Sequence, residues 1–417
     1  MPSRSVPRRS VPRRSGARAL AVFAAATALA AALPGAAQSA PRSSDDTTRV
    51  TYRGHAFDVP ASWWVVDLEK NPEACVRFDR HVVYLGTPGE QQNCPARVRG
   101  RTEALLIQPD TGAESAAAAA GSPHVVTSAV TEDRTAGTYR VTADRIAVTA
   151  AYGDDRTRIQ DILRGAGLPV AAAPAAAPPP AVAPLAKDAT SFRGEGFDAC
   201  TAPSQKAMDA WRDASDYRVV GIYIGGINRA CAQPNLTAQW VRKQYAAGWR
   251  FIPLYVGRQP AADGGSCGGG CAEITDPVPQ GTAAADDAAR QAAALGLGKG
   301  TVIYDDLEHY QRGDAVTARV LSYLGAFTER LHKLGYRSGA YGNTSSLVTD
   351  LVDNRDDVTL PDVIHFASWN YESTTDDPAV PATLWAKHQR IHQYVGDTTE
   401  THGGVTISID RDRIDVD

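Results

Sequence analysis

Beyond its first forty residues, this sequence of 417 residues has no long hydrophobic run. A transmembrane helix needs about 20 consecutive apolar residues, so we expect no span in the mature chain. No Gly-x-Ser-x-Gly motif occurs, which disfavours a serine hydrolase. The glycine-rich run 296–300 precedes a predicted strand, and its lysine is followed by glycine, so a turn is predicted there and a phosphate loop is excluded.

Acidic residues are absent from the first forty residues. Arginines dominate the start, residues 19–33 are apolar, and small residues follow them. This order predicts a signal peptide over 1–40, with a membrane anchor as the alternative and with Sec and twin-arginine export both open. Its removal changes the net charge from −4 to about −10, which disfavours nucleic acid or an anionic membrane and is compatible with a glycan partner. We expect a secreted or cell-envelope protein.

Cysteine is scarce, with six in the chain, and export makes a disulfide the first interpretation of each. Zinc competes for the last four, but the spacing of Cys267 and Cys271 matches no paired Cys or His motif. We therefore expect neither a metal nor a cofactor. The predicted disulfides are Cys75–Cys94, Cys200–Cys231 and Cys267–Cys271.

An Ala- and Pro-rich stretch over 166–189 is the clearest domain boundary, because proline fixes φ and removes hydrogen-bond donors. Short strand-like runs and one helix-like run precede it, so a small α+β domain is predicted over 47–165. This domain contains no evident catalytic constellation. A second domain is predicted over 190–417.

After the linker, strand-like and helix-like segments alternate about eight times over roughly 225 residues, which matches a (β/α)8 TIM barrel. A doubly wound open sheet is the alternative. Its first strand is normally followed by a glycine-rich nucleotide loop, whereas Asp198-Ala199-Cys200-Thr201 follows here. The predicted strands are 196–198, 219–224, 251–256, 301–306, 338–341, 363–368, 391–395 and 406–410.

Four carboxylates stand at the ends of three predicted strands, where a TIM barrel has its active site. Because residues i and i+2 of a strand share a face, Asp306 and Glu308 are predicted to point into the barrel mouth while Leu307 packs outward. Crowded carboxylates hold a proton near neutral pH, and glycosidic cleavage needs a proton donor beside negative charge. Asp198 and Asp410 are predicted to bind substrate at the same mouth. A solvated acidic patch or a Mg²⁺ or Ca²⁺ site is the alternative.

Aromatic residues also accumulate near the predicted strand ends, and flat rings suit sugar faces. The residues predicted to bind substrate in this way are Tyr223, Tyr255, Tyr341, Trp369 and Tyr394.

Four segments carry a resemblance to a known family: 196–204 (GFDACTAPS), 222–226 (IYIGG), 253–257 (PLYVG) and 306–308 (DLE). Together they resemble the glycoside-hydrolase-like domain of unknown function found in secreted actinobacterial proteins. That domain is similar to family 25 glycoside hydrolases, barrel-type lysozymes that cleave peptidoglycan. The resemblance implies that Glu308 is the catalytic acid and Asp306 its companion.

Two functions follow as expectations. The first is a glycoside hydrolase that acts on a cell-envelope glycan such as peptidoglycan through Glu308 and Asp306. The second is a non-catalytic, glycan-binding barrel that uses the same acids and aromatic rings for recognition.

Overall fold

The computed structural model describes residues 46–110, 128–170, 182–260, 267 and 270–417. The predicted signal peptide and the centre of the predicted linker lie outside these ranges. Within them, no helix combines the length and the apolar character needed to cross a membrane.

The part before the linker is a mixed sheet with a helix against it. A hairpin of β1 and β2 precedes a six-stranded sheet in the order β3-β4-β5-β8-β7-β6. Helix α1 is capped by Asp155, whose side chain accepts a hydrogen bond from Arg158 N, and it buries Ile159, Ile162 and Leu163. The elements are β1 (Thr47–Tyr52), β2 (His55–Pro60), β3 (Trp64–Asp67), β4 (Val82–Leu85), β5 (Glu103–Pro109), β6 (Ala129–Asp133), β7 (Thr138–Ala143), β8 (Ile146–Tyr152) and α1 (Arg156–Gly165).

The second part is a closed barrel of eight strands in the order β10-β11-β12-β13-β14-β15-β16-β9. Every strand predicted there from the sequence is found. The strands are β9 (Phe192–Asp198), β10 (Tyr217–Gly225), β11 (Arg250–Tyr255), β12 (Val302–Asp306), β13 (Arg337–Asn343), β14 (Val363–Ala367), β15 (Gln389–His402) and β16 (Val405–Val416).

The barrel is mixed, and the regular (β/α)8 alternation is not seen throughout. Strand β16 runs antiparallel to both β15 and β9. Gly403 and Gly404 both have positive φ, which lets the chain reverse in two residues and leaves no room for a crossover helix. The described architecture is therefore a mixed α/β fold around a closed eight-stranded barrel.

Helices follow five of the strands. Ser204 caps the first by accepting a hydrogen bond from Ala207 N at 3.1 Å, and Gly335, with φ of +89°, ends the longest. The third begins earlier than the sequence indicates, because Pro277 occupies a first-turn position where no amide hydrogen is needed. The helices are α2 (Gln205–Ala214), α3 (Ala238–Ala246), α4 (Pro277–Ala294), α5 (Asp314–Leu334) and α6 (Thr349–Asp353).

Strand alternation on β12 divides its side chains between the inside of the barrel and the helical layer. Val302 and Tyr304 pack in the barrel interior, whereas Ile303 and Leu307 join the core beneath the helices. Period-two alternation therefore directs Asp306 inward and keeps Leu307 outward, as predicted.

Three disulfides are present, and they are the three predicted pairs. Cys94, Cys200 and Cys231 form one buried cluster, so the Cys75–Cys94 bridge of the N-terminal part packs against the Cys200–Cys231 bridge of the barrel. The two bridges thus meet where the N-terminal part contacts the barrel.

We expect the Cys200–Cys231 bridge to stabilise the protein more than the Cys267–Cys271 bridge. The first closes 31 residues and the second only four. From loop-closure entropy, we expect the free energy of unfolding to fall by about 3–4 kcal/mol when Cys200 and Cys231 are both replaced by serine. The corresponding loss for Cys267 and Cys271 is about 2 kcal/mol. Urea unfolding of both variants measures the difference, and equal losses would contradict the expectation.

Candidate active site

Four carboxylates lie together at one end of the barrel. Asp198 and Asp306 are the last residues of β9 and β12, and Glu308 follows β12 by two positions. Asp410 lies within β16, directly opposite Asp198 in the antiparallel register. All four are buried, with no residue more than 4% exposed.

Gln259 fixes the chain around Asp306 and Glu308. Its Nε2 donates to the Asp306 carbonyl at 2.7 Å, and its Oε1 accepts from Glu308 N at 2.9 Å. Burial, and then the charge of Glu308, raise the pKa of Asp306 well above its ordinary value. The closely spaced pair predicted from D-x-E is therefore present, in a setting that favours a proton on Asp306.

Gln393 joins the other two acids. Its Nε2 donates to Asp198 Oδ2 at 2.9 Å and lies 3.3 Å from Asp410 Oδ2. The Tyr223 hydroxyl donates to Asp198 Oδ1 at 3.0 Å. Burial, and then the charge of Asp412, raise the pKa of Asp198 to about 7. The Gln393 amide thus connects Asp198 of β9 with Asp410 of β16, two strands that are neighbours in the closed barrel.

A second buried pair, His365 and Asp412, lies below these acids and was not singled out from the sequence. His365 Nε2 is 2.9 Å from Asp412 Oδ1, and burial lowers the pKa of the imidazole to about 4. Asp198, His365 and Asp412 each offer a ligand atom within 4.8 Å of the others. Because Asp198 already accepts bonds from Tyr223 and Gln393, we assign the group to the hydrogen-bond network that supports the site.

Two arginines from the N-terminal part enter the same end of the barrel. The Arg99 guanidinium is in direct contact with the Glu308 carboxylate, and both side chains are buried. Arg97 donates to Asp397 Oδ2 at 2.7 Å and lies 3.3 Å from Asp410 Oδ2. Although burial opposes the charge, Glu308 and then Asp306 raise the pKa of Arg99 above its ordinary value. Two of the four candidate acids, Glu308 and Asp410, are therefore paired with arginines from outside the barrel.

These arginines belong to a connection between β4 and β5, residues 90–101, which we call the arginine segment. It is held on the barrel by backbone pairing, with Gly100 N donating to Asn228 O at 3.0 Å. Asn235 adds a bond from its Nδ2 to Glu90 O at 2.7 Å. The segment covers the acids, and a cavity of about 240 Å³ remains beside Glu308 and Trp369.

The predicted aromatic residues divide into two groups. Tyr223 and Tyr341 lie in the barrel interior, and the Tyr341 hydroxyl donates to Gln393 Oε1 at 2.9 Å. Trp369 is 44% exposed, donates to the same oxygen at 3.1 Å and has the Arg97 guanidinium 4.2 Å from its ring centre. These three rings lie with the acids.

Tyr255 and Tyr394 do not lie at the acids, so this part of the prediction is wrong. The Tyr255 hydroxyl donates to Asp287 of helix α4, and the Tyr394 hydroxyl donates to Glu195. Each ring occupies the strand position adjacent to an inward one, and neighbouring side chains on a strand point to opposite faces.

The family comparison agrees with a glycoside hydrolase-like domain in the barrel part of the chain. Residues 209–414 match the model of the Rv2525c-like, glycoside hydrolase-like domain. The barrel is similar to this family over most of its length. No curated protein matches the chain.

Solved structures give distant matches that cover about half of this chain. The Tat-secreted protein Rv2525c of Mycobacterium tuberculosis, solved with L-tartrate, is 16% identical over 54% of this chain and 96% of its own, with a TM-score of 0.37. The catalytic domain of endolysin ply40 from Listeria monocytogenes bacteriophage P40 is 14% identical over 54% and 93%, with a TM-score of 0.34. A muramidase from Acremonium alcalophilum is 16% identical over 54% and 95%, also with 0.34.

Because the pKa of Asp198 is raised, we predict that the free energy of unfolding of the barrel depends on pH. The folded state holds the proton of Asp198 more tightly than the unfolded state does. The contribution of this proton to the free energy of unfolding is therefore complete below about pH 4 and is lost as the pH rises through about 7. We expect the stability difference between the wild type and Asp198→Asn to fall from about pH 4.5 to 7.5, as measured by urea unfolding.

Asp58→Asn is the control for this titration. Asp58 is exposed, and its hydrogen bond from Arg49 lowers its pKa, so its contribution is already complete at about pH 4.5. Parallel pH profiles for the two variants would contradict the assignment to Asp198.

Proposed function

We propose that this protein is a secreted, latent glycoside hydrolase that acts on a cell-envelope glycan such as peptidoglycan. Glu308 is the catalytic acid, Asp306 its companion, and the arginine segment keeps both covered. The convergence of Asp306, Glu308, Asp198 and Asp410 at one end of a glycoside hydrolase-like barrel carries the proposal. The predicted signal peptide and the three disulfides support export.

The chemistry requires a proton donor to the leaving oxygen and negative charge near the developing oxocarbenium ion. Burial and the charge of Glu308 raise the pKa of Asp306, so this pair of carboxyl groups retains a proton. Glu308 delivers that proton, and the remaining carboxylate stabilises positive charge on the sugar. Trp369, the most exposed ring beside these acids, offers a flat face for a sugar.

The covered arrangement blocks this chemistry in two ways. The Arg99 guanidinium occupies the Glu308 carboxylate, so a leaving oxygen cannot reach it. The four acids are also too buried for a polymer to touch. Activity therefore requires that Arg97 and Arg99 withdraw from the barrel.

A second function, a non-catalytic glycan-binding barrel, is favoured by the way the arginine segment is fixed. The adjoining Cys75–Cys94 and Cys200–Cys231 bridges hold its base against the barrel. If the segment never withdraws, the exposed Trp369 and Tyr371 remain available to bind a glycan without cleaving it.

Removal of the two arginines tests latency in the full chain. We expect Arg97→Ala/Arg99→Ala to release reducing ends from peptidoglycan at least about tenfold faster than the wild type, because the acids regain access to substrate. Adding Glu308→Gln to this variant should abolish the gain. Arg164→Ala, which removes an exposed arginine of α1 paired with Asp161, is the matched control and should change nothing.

The same experiment separates the two functions. If the double variant is folded by circular dichroism and cleaves no glycan on a broad panel, latency is wrong. Retained binding of the intact protein to insoluble peptidoglycan in that case favours the non-catalytic barrel. A gain that survives Glu308→Gln would show that Glu308 is not the acid.

A further inference from the structure

A second cavity, of about 430 Å³, lies between the N-terminal sheet and the barrel and shares no lining residue with the cavity beside Glu308. Among the described residues, its wall includes three arginines, Arg101, Arg140 and Arg229, and a single carboxylate, Asp133. Arg101 and Arg140 come from the N-terminal part, and Arg229 follows β10 of the barrel. The lining therefore carries an excess of positive charge.

The guanidinium groups of Arg101 and Arg229 are oriented by backbone carbonyls. Arg101 Nη2 donates to Arg229 O at 2.6 Å, and Arg229 Nη1 donates to the carbonyls of Tyr223 and Ile224 at 3.2 Å. The Nε atoms of both arginines are buried without a hydrogen-bond partner. Within the described residues, neither arginine forms an ion pair with a carboxylate. A buried donor left unsatisfied is costly, so nothing within the described residues compensates the burial of these two guanidinium groups fully.

The arginines also oppose one another. Burial, and then the charge of Arg229, lower the pKa of Arg101 to about 9. Burial, and then the charge of Arg140, lower the pKa of Arg229 to about 10. An anion between them would relieve both effects, because it supplies the counter-charge that the protein lacks.

The remaining lining residues indicate what such an anion carries. Gln108 and Gln291 offer amides, and Thr138 and Thr149 offer hydroxyl groups. Amides and hydroxyls both donate and accept, as recognition of sugar or polyol hydroxyls requires. The cavity volume is within the range of small-molecule sites.

We propose that this cavity binds an organic anion, a carboxylate or phosphate group carried on a sugar or polyol. The guanidinium groups hold the anion in charge-assisted hydrogen bonds, and the amides and hydroxyls hold the carbon skeleton. The proposal does not depend on activity at the barrel mouth. A purely structural role for the arginines accounts for their carbonyl contacts but not for an accessible cavity with unmatched charge.

Calorimetric titration of the full chain at low ionic strength tests the proposal. Glucose 6-phosphate, glucuronate and neutral glucose are the probes, and inorganic phosphate shows whether the skeleton contributes. We expect binding of glucose 6-phosphate, glucuronate or both, tighter than inorganic phosphate, and no binding of glucose. The stronger of the two organic anions identifies the charged group.

Arg140→Ala is the informative variant, because Arg140 is exposed and its replacement leaves the carbonyl contacts of Arg101 and Arg229 intact. We expect it to weaken binding about tenfold. Arg134→Ala removes an exposed arginine of the same sheet region that does not line the cavity, and Glu308→Gln changes only the barrel mouth. Both should bind as the wild type does. Failure of both organic anions to bind, or equal weakening by Arg134→Ala and Arg140→Ala, would overturn the proposal.

Discussion

The contact between Arg99 and Glu308 is the interaction on which the rest of this structure depends. It joins the N-terminal part to the barrel at the position where the candidate acid lies, and both charges are almost fully buried. Removing one partner of a buried ion pair typically costs about 3–5 kcal/mol, since the other charge is left unpaired. The pair therefore fixes how the N-terminal part covers the barrel and keeps the Glu308 carboxylate shielded from solvent.

Two arginines only partly offset the electrostatic conflict among the four acids of the barrel. Burial and mutual repulsion raise the pKa values of Asp306, Asp410 and Asp198 even with the arginines in place, so the covered cluster retains protons. Such a cluster stabilises nothing by itself, which is why we interpret it as a functional site. The two adjoining disulfides, one from each part, keep the covering segment close even when its side chains leave the acids.

Most of the barrel could be predicted from the sequence, because its strands are short apolar runs separated by helix-like segments. Asp306 and Glu308 could be placed by strand alternation alone. Alternation also explains the errors at Tyr255 and Tyr394, since a strand position displaced by one residue points to the opposite face. Gly403-Gly404 was the available signal for the antiparallel β15–β16 hairpin. Nothing local marks Arg97 and Arg99 as partners of acids far along the chain, so the covered site required the structure.

Carboxylate labelling of the intact protein tests the central claim, that the arginine segment covers Glu308, most directly. A water-soluble carbodiimide with an amine modifies accessible carboxylates, and peptide mass spectrometry gives the rate at each position. The account predicts rapid labelling of Asp213, whose side chain is 76% exposed, and protection of Glu308 until Arg97 and Arg99 are replaced by alanine. Labelling of Glu308 in the wild type at the rate of Asp213 would contradict it.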